Sequence, residues 1–199
     1  MDIIKIAITG GPSGGKTTLI ETLKHELGKK CRVVPEAASI LYRGGFPRQQ
    51  DPVSRIHVQK AIYYTQKELE LMICKTSQSP LIICDRGSLD ALAYWPDEPR
   101  DFFSALQTSR EEEFDRYQWV LHLDTADLPH YDSSNPIRTE SHDEALTLNQ
   151  RTKQAWEGHP RRIIISQNDD FLSKMTTALA VIRAIEARKA LDEIHKELK

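Results

Sequence analysis

Gly10-Gly11-Pro12-Ser13-Gly14-Gly15-Lys16-Thr17-Thr18 follows directly on the apolar run Ile3 to Thr9, and no other stretch limits the possible folds as tightly. It is a full match to G-x-x-x-x-G-K-[ST] in the context that pattern requires, a strand before it and a helix after. Glycine tolerates φ > 0, so successive backbone N–H groups can point inward and form a nest for phosphate oxygens. A helix beginning near Lys16 adds its positive dipole end to the same place. In that frame Lys16 reaches the β- and γ-phosphates, the Thr17 hydroxyl ligates Mg2+, and Thr18 contacts the α-phosphate. The expected ligand of these residues is a nucleoside triphosphate with its magnesium ion.

Elsewhere short apolar runs alternate with longer stretches of helical period, the pattern of βαβ units around a parallel sheet. The strand candidates are Ile3 to Thr9, Arg32 to Pro35, Leu81 to Asp85, Trp119 to Leu123 and Arg162 to Ser166. They are mostly apolar and β-branched rather than alternating, as expected when helices cover both faces. The expected fold is therefore a three-layer α/β/α P-loop arrangement with a five-stranded parallel sheet, one domain over residues 1–199. Ile20, Leu23 and Leu27 form one helical face that Gly28 can close. Asp51-Pro52 reads as an N-cap and first helical position. The helix it opens carries Val58, Ile62, Leu69 and Ile73 on one stripe and stops before Pro80. Leu172, Met175, Leu179, Ile182 and Ile185 predict one long amphipathic helix from Phe171 to about Lys196. The charge run Arg110 to Asp115 reads as a solvated helix end, and Thr125 to Thr139, with two prolines, reads as a mobile loop within a lid region of about 125–158.

Hydrophobic residues at 39%, charged residues at 28% and a net charge of -2 describe a soluble globular chain with no general pull toward nucleic acid or an anionic membrane, so phosphate binding must be local. Cys31, Cys74 and Cys84 fit neither a disulfide framework nor a zinc site and suit a reducing cytoplasm. No apolar run approaches the roughly 18 residues needed to span a bilayer, and no export signal precedes the first strand.

Leu81-Ile82-Ile83-Cys84-Asp85 is an apolar strand ending in a carboxylate, and ligands of parallel sheets gather at the carboxyl ends of strands. Asp85 suits a metal role, directly or through water, although strands also end in Asp for turn chemistry alone. Arg86 beside it offers a guanidinium able to bind a transferring phosphoryl group bidentately. Glu36 closes the second strand candidate on the same sheet edge. It can accept the proton of an attacking hydroxyl or position a water; the alternative is an N-cap or first-turn acid.

ITGGPSGGKTTL, VVPEAASIL, LIICDRGSLDALAYWP and the later NQRTKQAW and HPRRIIIS together resemble the small P-loop proteins related to the ribosylnicotinamide kinase domain of NadR, a group labelled AAA-type ATPases. The resemblance covers most of residues 1–185. Its wider kin are the nucleoside and nucleotide kinases, which implies a sheet order of 2-3-1-4-5. It also implies that Glu36, Asp85 and Arg86 serve the acceptor hydroxyl and the phosphates. Kinases of this architecture close an arginine-bearing lid over the γ-phosphate, for which Arg138 and Arg151 are the candidates. No Arg-x-x-x-Arg lid motif stands out. Arg43, Gln66, Asp90, Tyr94 and Trp95 are expected to face the acceptor, with core packing the alternative for the aromatic pair. Asn168-Asp169-Asp170 does not reproduce the N-K-x-D guanine reader, which favours ATP over GTP, and the Ser166 to Asn168 loop is the expected adenine contact. Three readings remain: a kinase for a nucleoside-like or other small hydroxylated acceptor, a phosphohydrolase, and a nucleotide-dependent binding switch.

Overall fold

The computed structural model describes residues 3–49, 51–97, 101–126, 141–166 and 171–198. Five strands, β1 (Ile4–Thr9), β2 (Cys31–Val34), β3 (Leu81–Asp85), β4 (Trp119–Leu123) and β5 (Arg162–Ile165), form one sheet in the order β2-β3-β1-β4-β5. Every pairing is parallel, with Ile8 opposite Asp85 and Thr9 opposite His122, so the ends of β1, β3 and β4 share one edge. The two faces of each strand feed two cores. Ile6, Ile8, Ile83 and Leu121 pack with Leu19 and Leu23 of α1 (Lys16–Leu27) and with Val181, Ile182 and Ile185 of α8 (Phe171–Glu186). Ala7, Ile82, Cys84 and Val120 pack on the other face with Tyr63, Phe102 and Trp156. Helices thus cover both sides of the sheet, and its strands are mostly apolar for that reason.

On the second face lie α2 (Ala37–Arg43), α3 (Pro52–Thr76), α4 (Asp90–Ala93), α5 (Phe102–Leu106), α6 (Arg110–Phe114) and α7 (His142–Ala155). Asp51 caps α3 as expected, its carboxylate accepting the Ser54 N–H at 2.9 Å. The buried face of α3 differs from the apolar stripe: Gln59, Tyr63, Gln66 and Glu70 are buried beside Val58, while Ile62, Leu69 and Ile73 are half-buried on its flank. Glu70 tolerates burial because it accepts from Lys5 Nζ at 3.0 Å, Arg116 NH2 at 2.6 Å and the Tyr117 hydroxyl at 2.5 Å. The Arg110 to Asp115 run is likewise not a merely solvated end. Glu113 is 1% exposed and accepts from Thr108 Oγ1 at 2.7 Å, and the Arg110 guanidinium lies 5.5 Å over the Phe103 ring.

The expected single C-terminal helix is broken. α8 stops at Glu186, Arg188 turns left-handed at φ 59°, and α9 (Leu191–Glu197) runs on from there with Ile194 inserted into the first core. The Ala187, Arg188 and Lys189 amides donate back to Arg183, Ile185 and Ala184, which closes α8 without glycine or proline. All three cysteines are free thiols; Cys84 is wholly buried in β3, Cys31 is buried in β2 and Cys74 is half-buried on α3. Among the described residues no helix is long and apolar enough to cross a membrane.

Candidate functional site

The β1–α1 turn takes the form its glycines permit. Gly10, Ser13 and Gly15 have φ of 129°, 55° and 89°, and α1 starts at Lys16. A Cβ on Gly10 would lie 2.0 Å from the Leu123 carbonyl oxygen, so only glycine fits between the turn and β4. Lys16 is buried, its ammonium donating to the carbonyls of Gly10 at 2.9 Å and Gly11 at 2.6 Å. Burial and the Arg86 charge draw its pKa down to about 7 against the opposing pull of Asp85, Glu36 and Asp90. Thr17 and Thr18, the next residues, are exposed, and Thr17 lines the adjoining cleft.

Arg86 organises the floor of that cleft. Its Nε donates to Glu36 Oε1 at 2.6 Å and its NH1 to Asp90 Oδ2 at 3.1 Å, so one guanidinium bridges two carboxylates from different elements. Its backbone sits at φ 72°, with its N–H on the Ile8 carbonyl at 3.0 Å and its own carbonyl held by Gln66 Nε2 at 3.2 Å. Glu36 occupies the N-cap position of α2 without capping it; the carboxylate turns instead to Arg86 and the Ser39 hydroxyl. Burial opposes its ionisation, but the Arg86 charge and those two hydrogen bonds hold the Glu36 carboxyl down at about 2. Asp85 goes the other way: burial and the Glu36 charge push it up to about 6. Asp90 is buried, with Oδ1 accepting from Thr9 Oγ1 at 2.6 Å and from the Trp156 indole N–H at 2.7 Å.

The cleft measures about 1120 Å³, and Lys16, Thr17, Glu36, Asp85 and Arg86 all line it. Arg43, Gln66, Asp90 and Tyr94 line its α2–α4 side as expected, although both oxygens of Asp90 are already engaged. Trp95 does not face it: the ring is 4% exposed and packs edge-on against Phe102 at 5.2 Å. Trp95 is therefore core, while its neighbour Tyr94, the C-cap of the short α4, lines the cleft. Arg151, from α7, also lines the cleft, donating to the Trp95 carbonyl at 2.7 Å and to Asp97 at 3.1 Å just beyond α4. Arg138, Asn168, and most of the Thr125 to Thr139 loop lie outside the described residues.

The donors available to a cation are hard oxygens, the Thr17 hydroxyl and the Asp85 carboxylate, on the cleft that Lys16 and Arg86 also line. Such a set suits Mg2+, which keeps waters and phosphate oxygens in its coordination sphere. Among the described residues no group of three or more His, Cys, Asp or Glu is placed to hold a metal by itself, so most of the coordination would come from the ligand and solvent. Asn149 and Trp156 bound the NQRTKQAW segment that carries part of the resemblance, but neither has a role there; with Asp124 they reach the site through contacts made across the fold.

A model of the AAA domain family matches residues 5–173. The chain belongs to the AAA domain family. Solved structures similar to this AAA domain include thymidylate kinase from Candida albicans, at a TM-score of 0.58 and 16% identity over 94% of this chain and 94% of that one. Deoxyadenosine kinase from M. mycoides with bound dATP gives 0.58 at 14% identity over 90% of this chain and 99% of that one. The same enzyme with dCMP and dCDP bound gives 0.57 at 14% identity over 91% and 100%. These likenesses establish for the AAA domain the P-loop kinase fold. No curated protein matches its sequence.

Proposed function

We propose that this protein is a Mg2+-dependent ATP phosphotransferase whose acceptor is a nucleoside-like or other small hydroxylated compound. The observation that carries the reading is the Arg86 bridge: Glu36 and Asp90 are drawn at 2.6 Å and 3.1 Å onto one guanidinium that shares the cleft with Lys16 and Thr17. A phosphate grip and an acceptor-side acid thus meet on one floor, as transfer requires.

In this mechanism the loop amides and Lys16 hold the β- and γ-phosphates. Magnesium bound near Thr17 and Asp85 would supply charge neutralisation between those phosphates. Glu36 accepts a hydrogen bond from the acceptor hydroxyl and aims its oxygen at the γ-phosphorus. A carboxylate held near 2 is a weak base. A loose transition state, however, asks for orientation first and releases the proton late, so aim matters more than basicity. The new P–O bond forms as the γ-phosphate leaves the β-phosphate oxygen, and the hydroxyl proton passes to Glu36 or to solvent. Arg86, kept charged by Glu36 and Asp90, faces the charge on the moving phosphoryl group. Arg138 and Arg151 are the proposed lid arginines within about 125–158, with α7 its described part. ATP is the proposed donor, with GTP the alternative. Three thiols outside any disulfide suit the cytoplasm.

The test is a screen of nucleosides and related hydroxylated compounds with purified protein and Mg-ATP or Mg-GTP, read as release of the nucleoside diphosphate. A kinase consumes triphosphate far faster with one compound than with none. Turnover equal with and without every compound would make the protein a phosphohydrolase, and slow turnover with partner affinity set by the nucleotide would make it a switch.

A further inference from the structure

α7 touches the Gly10 to Thr18 loop through one side chain: Gly11 donates its N–H to Asn149 Oδ1 at 3.0 Å. A Cβ on Gly11 would stand 2.2 Å from Thr125 Oγ1 and 2.7 Å from Asn149 Cβ, so helix and loop touch without slack. The Asn149 amide is committed at its other end too, Nδ2 donating to Asp124 Oδ1 at 2.8 Å. Asp124 also takes Lys153 Nζ at 2.6 Å, and its carbonyl takes the buried Lys174 ammonium from α8. His122 Nε2 lies 2.9 Å from Asn149 Oδ1. Since that oxygen is an acceptor, His122 Nε2 donates toward it and also lies 3.4 Å from Asp124 Oδ1.

The amide can therefore sit only one way round. Reversed, its oxygen would face the Asp124 carboxylate and its N–H groups would face two other donors. Asp124 keeps its charge because, although burial opposes it, hydrogen bonds from His122, Lys153 and Asn149 hold its carboxyl far below the usual range.

We infer that Asn149 is a positioning residue for triphosphate binding, which sets the Gly11 peptide and with it the curvature of the phosphate loop, in an orientation dictated by Asp124. The inference rests on the reading of Gly10 to Thr18 as a triphosphate site. It adds that α7, the first described helix after β4, controls the grip of that site through one side-chain amide.

The test is calorimetric titration of Mg-ATP into wild type, Asn149→Ala, Asn149→Asp and the exchanged pair Asn149→Asp with Asp124→Asn, alongside the thermal midpoint of each. Asn149→Ala leaves the Gly11 N–H buried without an acceptor and should raise the dissociation constant about tenfold. Asn149→Asp keeps that acceptor but sets it against Asp124, and should be at least as weak. The exchanged pair retains one amide and one carboxylate and should return to within about threefold of wild type. A purely architectural role would lower the midpoint and leave the affinity of the folded protein unchanged; Asn149→Ala binding within about twofold of wild type overturns the inference. Should Asn149→Ala fail to fold, equal affinities in Asn149→Asp and the exchanged pair overturn it instead. No Mg-ATP binding by the wild type would defeat the triphosphate reading itself, which is a separate result.

Discussion

On the phosphate-loop side of the cleft, the structure is made of main chain. Gly10, Ser13 and Gly15 take positive φ, Gly11 is pressed against α7, and the amide oxygen of Asn149 accepts the Gly11 N–H. On the α2–α4 side it is made of side chains, with Glu36, Arg86 and Asp90 placed by each other's charge and Arg43 exposed at the last turn of α2. On the proposed function, the first arrangement would serve any triphosphate and the second could be re-specified by changing a few side chains, so donor grip and acceptor choice would be physically separable parts of one cleft.

The sharpest way to break that separation is to remove one group from each side. Lys16→Ala should weaken Mg-ATP binding by about a hundredfold or more, whereas Glu36→Gln should leave the dissociation constant within about threefold and abolish transfer. Equal loss of binding in both would make Glu36 a structural residue. Arg86→Lys keeps the charge but cannot bridge two carboxylates with one planar fork. Transfer should fall on the order of a hundredfold, with ATP affinity little changed in the same titration.

Two glycines sharpen the contrast further. Gly11→Ala places a methyl against Thr125 and Asn149 and should lower unfolding free energy by about 1–3 kcal/mol while weakening ATP binding. Gly45→Ala, at φ 87° with no atom within 4 Å of a new Cβ, should cost about 1 kcal/mol and leave binding alone. Urea unfolding and calorimetry on both variants decide it. The smallest effect is acid sensitivity. Glu36 has a depressed folded pKa, so its contribution is fully present above the ordinary glutamate value of about 4.3 and lost as pH falls toward about 2. Acid unfolding of Glu36→Gln should lack that part of the decline.

What could be read from the sequence, and what could not, divides along the same line. The strands and the loop announce themselves because their requirements are local: apolar β-branched runs, glycine where φ is positive, a cap at Asp51. That Glu36, Asp85 and Arg86 share one cleft was legible because each stands at or just after a strand end on a shared edge; their roles belong to the proposed function. The buried polar face of α3 was not, since Glu70 draws its partners Lys5, Arg116 and Tyr117 from 65, 46 and 47 residues away and apolar periodicity is blind to them. Asn149 stands in the NQRTKQAW segment, but its contact was not legible for the same reason, its partner Gly11 lying 138 residues earlier. The end of α8 escaped because Arg188 adopts a conformation usually left to glycine, in a turn closed by the Ala187, Arg188 and Lys189 amides.

β3 delivers Asp85 to the cleft from the middle of the sheet, and the residue before it, Cys84, is wholly buried with its thiol pushed well above its ordinary value by that burial. Only a thiolate is alkylated, so iodoacetamide should reach this sulfur when the central strands part and at no other time, long after the half-buried Cys74 has reacted. The protein thus carries an internal chronometer of its own rare openings, read by mass spectrometry with no probe attached. Slower labelling of Cys84 as nucleotide is added would measure how far a ligand at one edge ties the whole sheet together.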